Sequence, residues 1–116
     1  MTRRQLFDYV QAEYSTEPEF PWHDANAVLR NLNNKKWYGI VMTVSYKKLG
    51  INKNELVDIL NVKCESALIG SVLSSNGIHP AYHMNKQNWV SIRLDGSCED
   101  ETIRFLLERS RMLTSK

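Results

Sequence analysis

The chain has 116 residues, 42% of them hydrophobic and 24% charged, with a net charge of +2 at pH 7. That length suits one domain, is too short for two, and lets one core form without metal or disulfide staples. No run approaches the ~18 apolar residues of a membrane span, there is no low-complexity tract, and Arg3, Arg4 and Asp8 break any signal-peptide pattern.

Thr2 and Gln5 have the spacing of a capping box, and Leu6, Val10 and Tyr14, with Phe7 beside them, repeat at helical spacing. The chain is therefore expected to open on a helix. Pro18 and Pro21 exclude its continuation, making 15–26 a loop in which Phe20 and Trp22 pack as plugs. Residues 27–46 read as a β-hairpin, with Ala27–Leu32 and Trp37–Tyr46 as strands and Asn33-Asn34-Lys35-Lys36 as the turn. In the second strand Tyr38, Ile40, Met42, Val44 and Tyr46 alternate with Trp37, Gly39, Val41, Thr43 and Ser45, and the first set is expected to face the core. Gly50 marks a turn among Lys47, Lys48 and Lys53.

Leu56–Lys63 is too short for periodicity to separate helix from strand, but its β-branched Val57, Ile59 and Val62 favour strand. A short helix is expected from Ser66, with Leu68, Ile69, Val72 and Leu73 inward and Gly77 as its stop. Ala81–Met84 and Trp89–Leu94 read as a second hairpin around Asn85-Lys86-Gln87-Asn88. Its Val90, Ile92 and Leu94 point inward, and Trp89, Ser91 and Arg93 outward. A last helix follows Ser97, with Glu99, Asp100 and Glu101 in its first turn and Arg109 and Arg111 near its end, as the helix dipole favours. Ile103, Leu106, Leu107, Ser110 and Leu113 form its buried stripe. Helices at both ends of an antiparallel sheet predict a two-layer α+β domain, one sheet face under helices and the other at least partly open.

Three blocks of the sequence resemble MmcQ/YjbR proteins. They are Asn34-Lys35-Lys36-Trp37-Tyr38, then Leu60-Asn61-Val62-Lys63-Cys64, and Pro80-Ala81-Tyr82-His83-Met84-Asn85-Lys86 through Trp89 to Leu94-Asp95-Gly96. Their order and spacing match along nearly the whole chain, and the His-Met-Asn-Lys block is the most specific. The resemblance implies a CyaY-like fold with the family's double-wing arrangement, and makes Leu56–Lys63 a strand. It also implies DNA binding, a label that rests on fold analogy. Ser66 stands where the family often has proline, and Asn31 where histidine is common.

The charge distribution bears on that label. Residues 1–29 carry two basic and five acidic residues, whereas 30–54 carry Arg30, Lys35, Lys36, Lys47, Lys48 and Lys53 and no acid. A local positive excess attracts polyanions, although a solvated lysine rim is the commoner meaning. The candidate nucleic-acid contacts are Lys35, Lys36 and Lys86 at two hairpin tips, for phosphates, and Trp37, Trp89 and Arg93 on the outward sheet face, for unpaired bases. Against this, Asn and Lys are ordinary turn residues, and a tryptophan beside a turn often packs over a sheet edge. The alternative is a protein-interaction module whose hot spot is the open face bearing Trp37, Val41, Trp89 and Arg93.

Other chemistries find little support. Cys64 and Cys98 lack CxxC spacing and read as reduced thiols of a cytoplasmic protein. His79 and His83 are separated by Pro80, and strand positions four apart lie about 13 Å from each other, too far to share one ion. The first helix has only Asp8 and Glu13, not the acidic ridge of a frataxin. There is no phosphate-cradling glycine loop, no GxSxG elbow and no carboxylate pair. The expectation is a monomer without metal, cofactor or catalytic activity.

Overall fold

The computed structural model describes residues 1–116. Thr2 caps α1 (Arg3–Tyr14): its hydroxyl accepts from the Gln5 N–H, and the Gln5 side chain accepts from the Thr2 N–H at 2.9 Å. The helix ends where Ser15 turns to φ +52°. Then come β1 (Ala27–Arg30), β2 (Trp37–Ser45), a 3-10 turn (Tyr46–Leu49) and β3 (Leu56–Lys63). They are followed by α2 (Ser66–Val72), β4 (Ile78–Pro80), β5 (Trp89–Arg93) and α3 (Asp100–Thr114). All strand pairs are antiparallel, in the order β1-β2-β3-β5-β4. The architecture is α+β, as the element pattern predicts.

The helices cover one sheet face. Leu6 and Val10 of α1 and Ile103, Leu106 and Leu107 of α3 share a core with Val41, Leu60, Val62, Val90 and Ile92, and α2 packs on it through Leu68, Ile69 and Val72. Here the alternation expected for β2 is corrected. Leu29 opposes Gly39 and Arg30 opposes Trp37, so Tyr38 is an extra residue and β2 carries a bulge. A one-residue insertion exchanges the faces of everything beyond it. Tyr38 therefore points to the helices, where its hydroxyl donates to Thr16, and beyond it Val41 rather than Ile40 faces the main core. The Ser110 hydroxyl donates to the Tyr38 carbonyl at 2.6 Å and itself accepts from the Lys63 N–H at 2.9 Å. That is why a polar residue sits in the buried stripe of α3.

The second face is not open at its centre. Val44, Tyr46, Val57 and Ile59 are buried there beneath Leu49, Ile51 and Tyr82. Ser91, expected to point to solvent, is fully buried. Its cover comes from a segment the sequence misassigns: β4 is Ile78–Pro80, and 81–88 is no strand and tip but a loop folded back over the sheet. Asn61 and Ser91 hold it, for the Asn61 carboxamide donates to the Tyr82 carbonyl (3.1 Å), the Ser91 hydroxyl accepts from the Tyr82 N–H (2.8 Å), and that hydroxyl donates to Asn61 Oδ1. His83, read as part of a hairpin strand, is exposed, adopts φ +60° and packs its ring beside Tyr82.

Three smaller expectations also change. Phe20 and Trp22 are not plugs but are 46% and 47% exposed, Phe20 against Phe7 and Trp22 against Trp37. Gly77 does not stop α2, which ends at Val72. Thr114 rather than Leu113 is the last buried residue of α3.

Candidate nucleic-acid interface

The charges are sorted by element. All eight lysines lie outside the three α-helices, and none has an Asp or Glu partner, whereas Arg3, Arg4, Arg30, Arg93, Arg109 and Arg111 are each ion-paired. Acidic residues concentrate in and around the helices: Asp8 and Glu13 in α1, Asp100, Glu101 and Glu108 in α3, with Glu65 and Glu99 capping α2 and α3. The lysines instead lie on turns and strand ends: Lys48, Lys53, Lys63 and Lys86 border the second face, Lys47 is in the 3-10 turn, and Lys35 and Lys36 are in the β1–β2 turn, which leans on the end of α3.

Only part of the residue set read from the sequence comes together. By register Arg30 opposes Trp37 and Lys63 opposes Trp89, two pairs at the same end of the sheet. Lys35 and Lys36 are exposed beside the first pair. Lys35 adopts φ +64°, and Lys36 Nζ donates to the Lys116 carbonyl at 2.6 Å, where Asn34 also tethers the turn to the end of α3. Lys86 is exposed but stands apart, folded back toward Lys48. The two lysine-bearing segments are thus not matching hairpin tips. Val41 leaves the set altogether, since it is fully buried under the helices.

Trp37 and Trp89 differ in surroundings. Trp37 is half-buried, edge-on to Trp22 at 5.8 Å, with the Arg30 guanidinium 5.5 Å from its ring centre. Arg30 in turn pairs with Glu19 at 3.1 Å. Trp89 is half-buried, opposite Lys63. Arg93 is four residues further along the same face, beyond Ser91, paired with Asp95 at 3.4 Å and close to the Tyr46 ring. Trp22 was missed as a surface residue because aromatic residues in a proline-bracketed loop usually turn inward.

The largest cleft, about 320 Å³, lies beside the β1–β2 turn and mixes signs, with Glu17 and Glu19 against Arg30 and Lys35. Asn31 borders it, buried, its carboxamide donating to Thr114 at 2.6 Å. Cys64 and Cys98 are free and buried, and burial pushes both thiols up, away from the nucleophilic thiolate. No three His, Cys, Asp or Glu side chains gather in one place, and no helix is long and apolar enough to cross a membrane.

Comparison with known proteins gives a consistent answer. The YjbR family model matches residues 12–113. The Bacillus subtilis (strain 168) "Uncharacterized protein YyaQ" is 39% identical, the alignment spanning 98% of each chain. A crystal structure of a Pseudomonas syringae protein is 40% identical and superimposes with a TM-score of 0.94, covering 98% of this chain and 99% of that one. The crystal structure of a Deinococcus radiodurans protein with a DUF419 domain is 25% identical, with a TM-score of 0.72 over 99% of this chain and 79% of its own.

Proposed function

We propose, for a chain that belongs to the YjbR family, that it binds DNA through the lysine-bordered face of its sheet. The observation that carries this reading is the sorting of charge: every lysine is outside the α-helices and without an Asp or Glu partner, and Lys48, Lys53, Lys63 and Lys86 border that face. Unpaired ammonium groups on turns are suited to phosphates, which position a protein on a strand without reading its sequence. Lys35, Lys36 and Lys86 are the proposed phosphate contacts, with Lys47, Lys48, Lys53 and Lys63 adding to the field. Trp89, and Trp22 beside Trp37, are the aromatic surfaces available to unstacked bases. The reading involves no catalytic step.

Titration of duplex and single-stranded DNA at two salt concentrations tests it. Affinity should fall as salt rises, with a log–log slope near −0.9 per phosphate contact on duplex and about −0.7 on single strands. Binding that ignores salt, or none at all, would sink the DNA reading.

One feature favours a second reading. Trp22, Trp37 and Arg30 form an aromatic–guanidinium cluster, about half of Trp22 being exposed. Such clusters recur at the centres of protein interfaces, so a protein partner on this cluster is the alternative.

A further inference from the structure

A small cavity on the second face collects polar groups that the fold leaves without partners. Its volume is about 160 Å³, several times the ~30 Å³ share of one liquid water, and it lies where the end of β4, the loop after it and the 3-10 turn meet. Lys48, Leu49, His79, Pro80, Tyr82 and Lys86 line it, and no carboxylate does. Both lysines are exposed and lack an ion-pair partner. His79 Nε2 is buried without a hydrogen bond, and so is Arg93 Nε on the neighbouring strand.

Buried polar atoms are nearly always paired, and an exception calls for a missing partner. At His79 the surroundings select the sign of that partner. Burial, then the charge of Arg93, lower the imidazole's basicity, with Asp95 opposing them. The ring is therefore a neutral hydrogen-bonding group, and its charged neighbours are Lys48 on the 3-10 turn, Lys86 on the loop and Arg93 on β5. Asp95 is already engaged by Arg93, Tyr46 and Ser97.

We propose that this cavity binds a phosphomonoester, held between Lys48 and Lys86 against the imidazole of His79. The site goes beyond the DNA reading, because it selects a terminal monoester rather than a backbone diester. Its phosphate can be the terminal group of a nucleic-acid strand or that of a free small ester.

The test is titration of the full chain with inorganic phosphate at constant ionic strength, followed through the ring-proton NMR signals of His23, His79 and His83. His79→Gln identifies the relevant resonance. A saturable shift centred on His79 is expected, and Lys48→Gln/Lys86→Gln should weaken it about tenfold or more, as loss of charge-assisted bonds implies. Both lysines are exposed, so the double variant should melt like the parent. No saturable shift, or an equal one in the double variant, overturns the site. A second arm compares 5′-phosphorylated and 5′-hydroxyl oligonucleotides. Preference for the phosphorylated form, lost in the double variant, supports the site with a strand end as its ligand. Equal oligonucleotide binding beside retained phosphate binding supports it with a small ester. If no oligonucleotide binds while phosphate does, the DNA reading fails and the site stands.

Discussion

The Ser91 hydroxyl donates to the carboxamide oxygen of Asn61 on the adjacent strand, and both residues are completely buried on the sheet face away from the helices. Together they satisfy the N–H and C=O of Tyr82, the first anchoring point of the loop that folds over that face. Asn61→Ala should therefore cost about 1–3 kcal/mol, because it strands the Tyr82 carbonyl and removes the Ser91 acceptor. Thermal melts measure the loss, and limited proteolysis should show faster cutting within 81–88. Unchanged cutting would mean that packing of Tyr82 alone holds the loop.

This network also marks where the sequence stops being readable. The capped start of α1, the identity of β3 and the inward set Val90, Ile92 and Leu94 follow from the capping box, periodicity and the family blocks, and the structure has all of them. The bulge at Tyr38 is invisible in the alternation itself, because Tyr38, Ile40 and Val44 are buried whichever face they occupy. Burial on both faces removes the contrast that strand parity depends on. The fold-back of 81–88 escapes for a related reason: turn residues announce a reversal but not the surface onto which the reversal packs. That single error made Lys86 a hairpin tip and left the centre of the second face uncovered.

Two glycines should respond oppositely to alanine. Gly77 has φ +79°, and an added Cβ would sit 2.5 Å from Ser97 Oγ and 2.8 Å from the Cys98 backbone nitrogen. Gly77→Ala combines a left-handed conformation with a backbone clash and should cost at least about 1–3 kcal/mol. Gly70 lies in α2, exposed, with nothing within 4 Å of its Cβ position. Gly70→Ala should stabilise by about 0.5–1 kcal/mol through helix propensity. Urea midpoints of the two variants check the pair.

Acid stability should depend on Asp95. Burial alone would raise its carboxyl, but the Ser97 hydroxyl, the Tyr46 hydroxyl, the Ser97 N–H and the Arg93 guanidinium together hold it below the ordinary carboxylate value. A folded-state pKa below the unfolded one means that the unfolded chain takes up the proton first as pH falls. The stabilisation is thus complete above the unfolded value of ~4 and is lost as pH drops through the folded one. Asp95→Asn should flatten the acid limb of a stability profile between about pH 5 and 2. A variant whose acid limb parallels the parent's would exclude this carboxylate as the cause.

The lysines and tryptophans of the proposed DNA contacts should separate by the property that each controls. Lys35, Lys36 and Lys86 are exposed and have no Asp or Glu partner. Replacing all three by Gln should leave the melting temperature close to the parent's, with only the Lys36 bond to the Lys116 carbonyl lost from the fold. If they meet phosphates, each lost contact shallows the salt slope on duplex DNA by up to about 0.9, and binding weakens alike on all sequences. Trp37→Ala should lower stability instead, since that ring is wedged between Trp22 and Arg30. Trp89 lies at the same end of the sheet without an aromatic neighbour of this kind, so Trp89→Ala should cost about 1–3 kcal/mol of single-strand binding and spare duplex binding. Melting curves and titrations on both DNA forms distinguish the three behaviours. A triple-lysine variant that binds DNA as tightly as the parent removes the phosphate contacts from the mechanism, and a Trp37 variant that folds normally but loses a protein ligand transfers this cluster to the interaction reading.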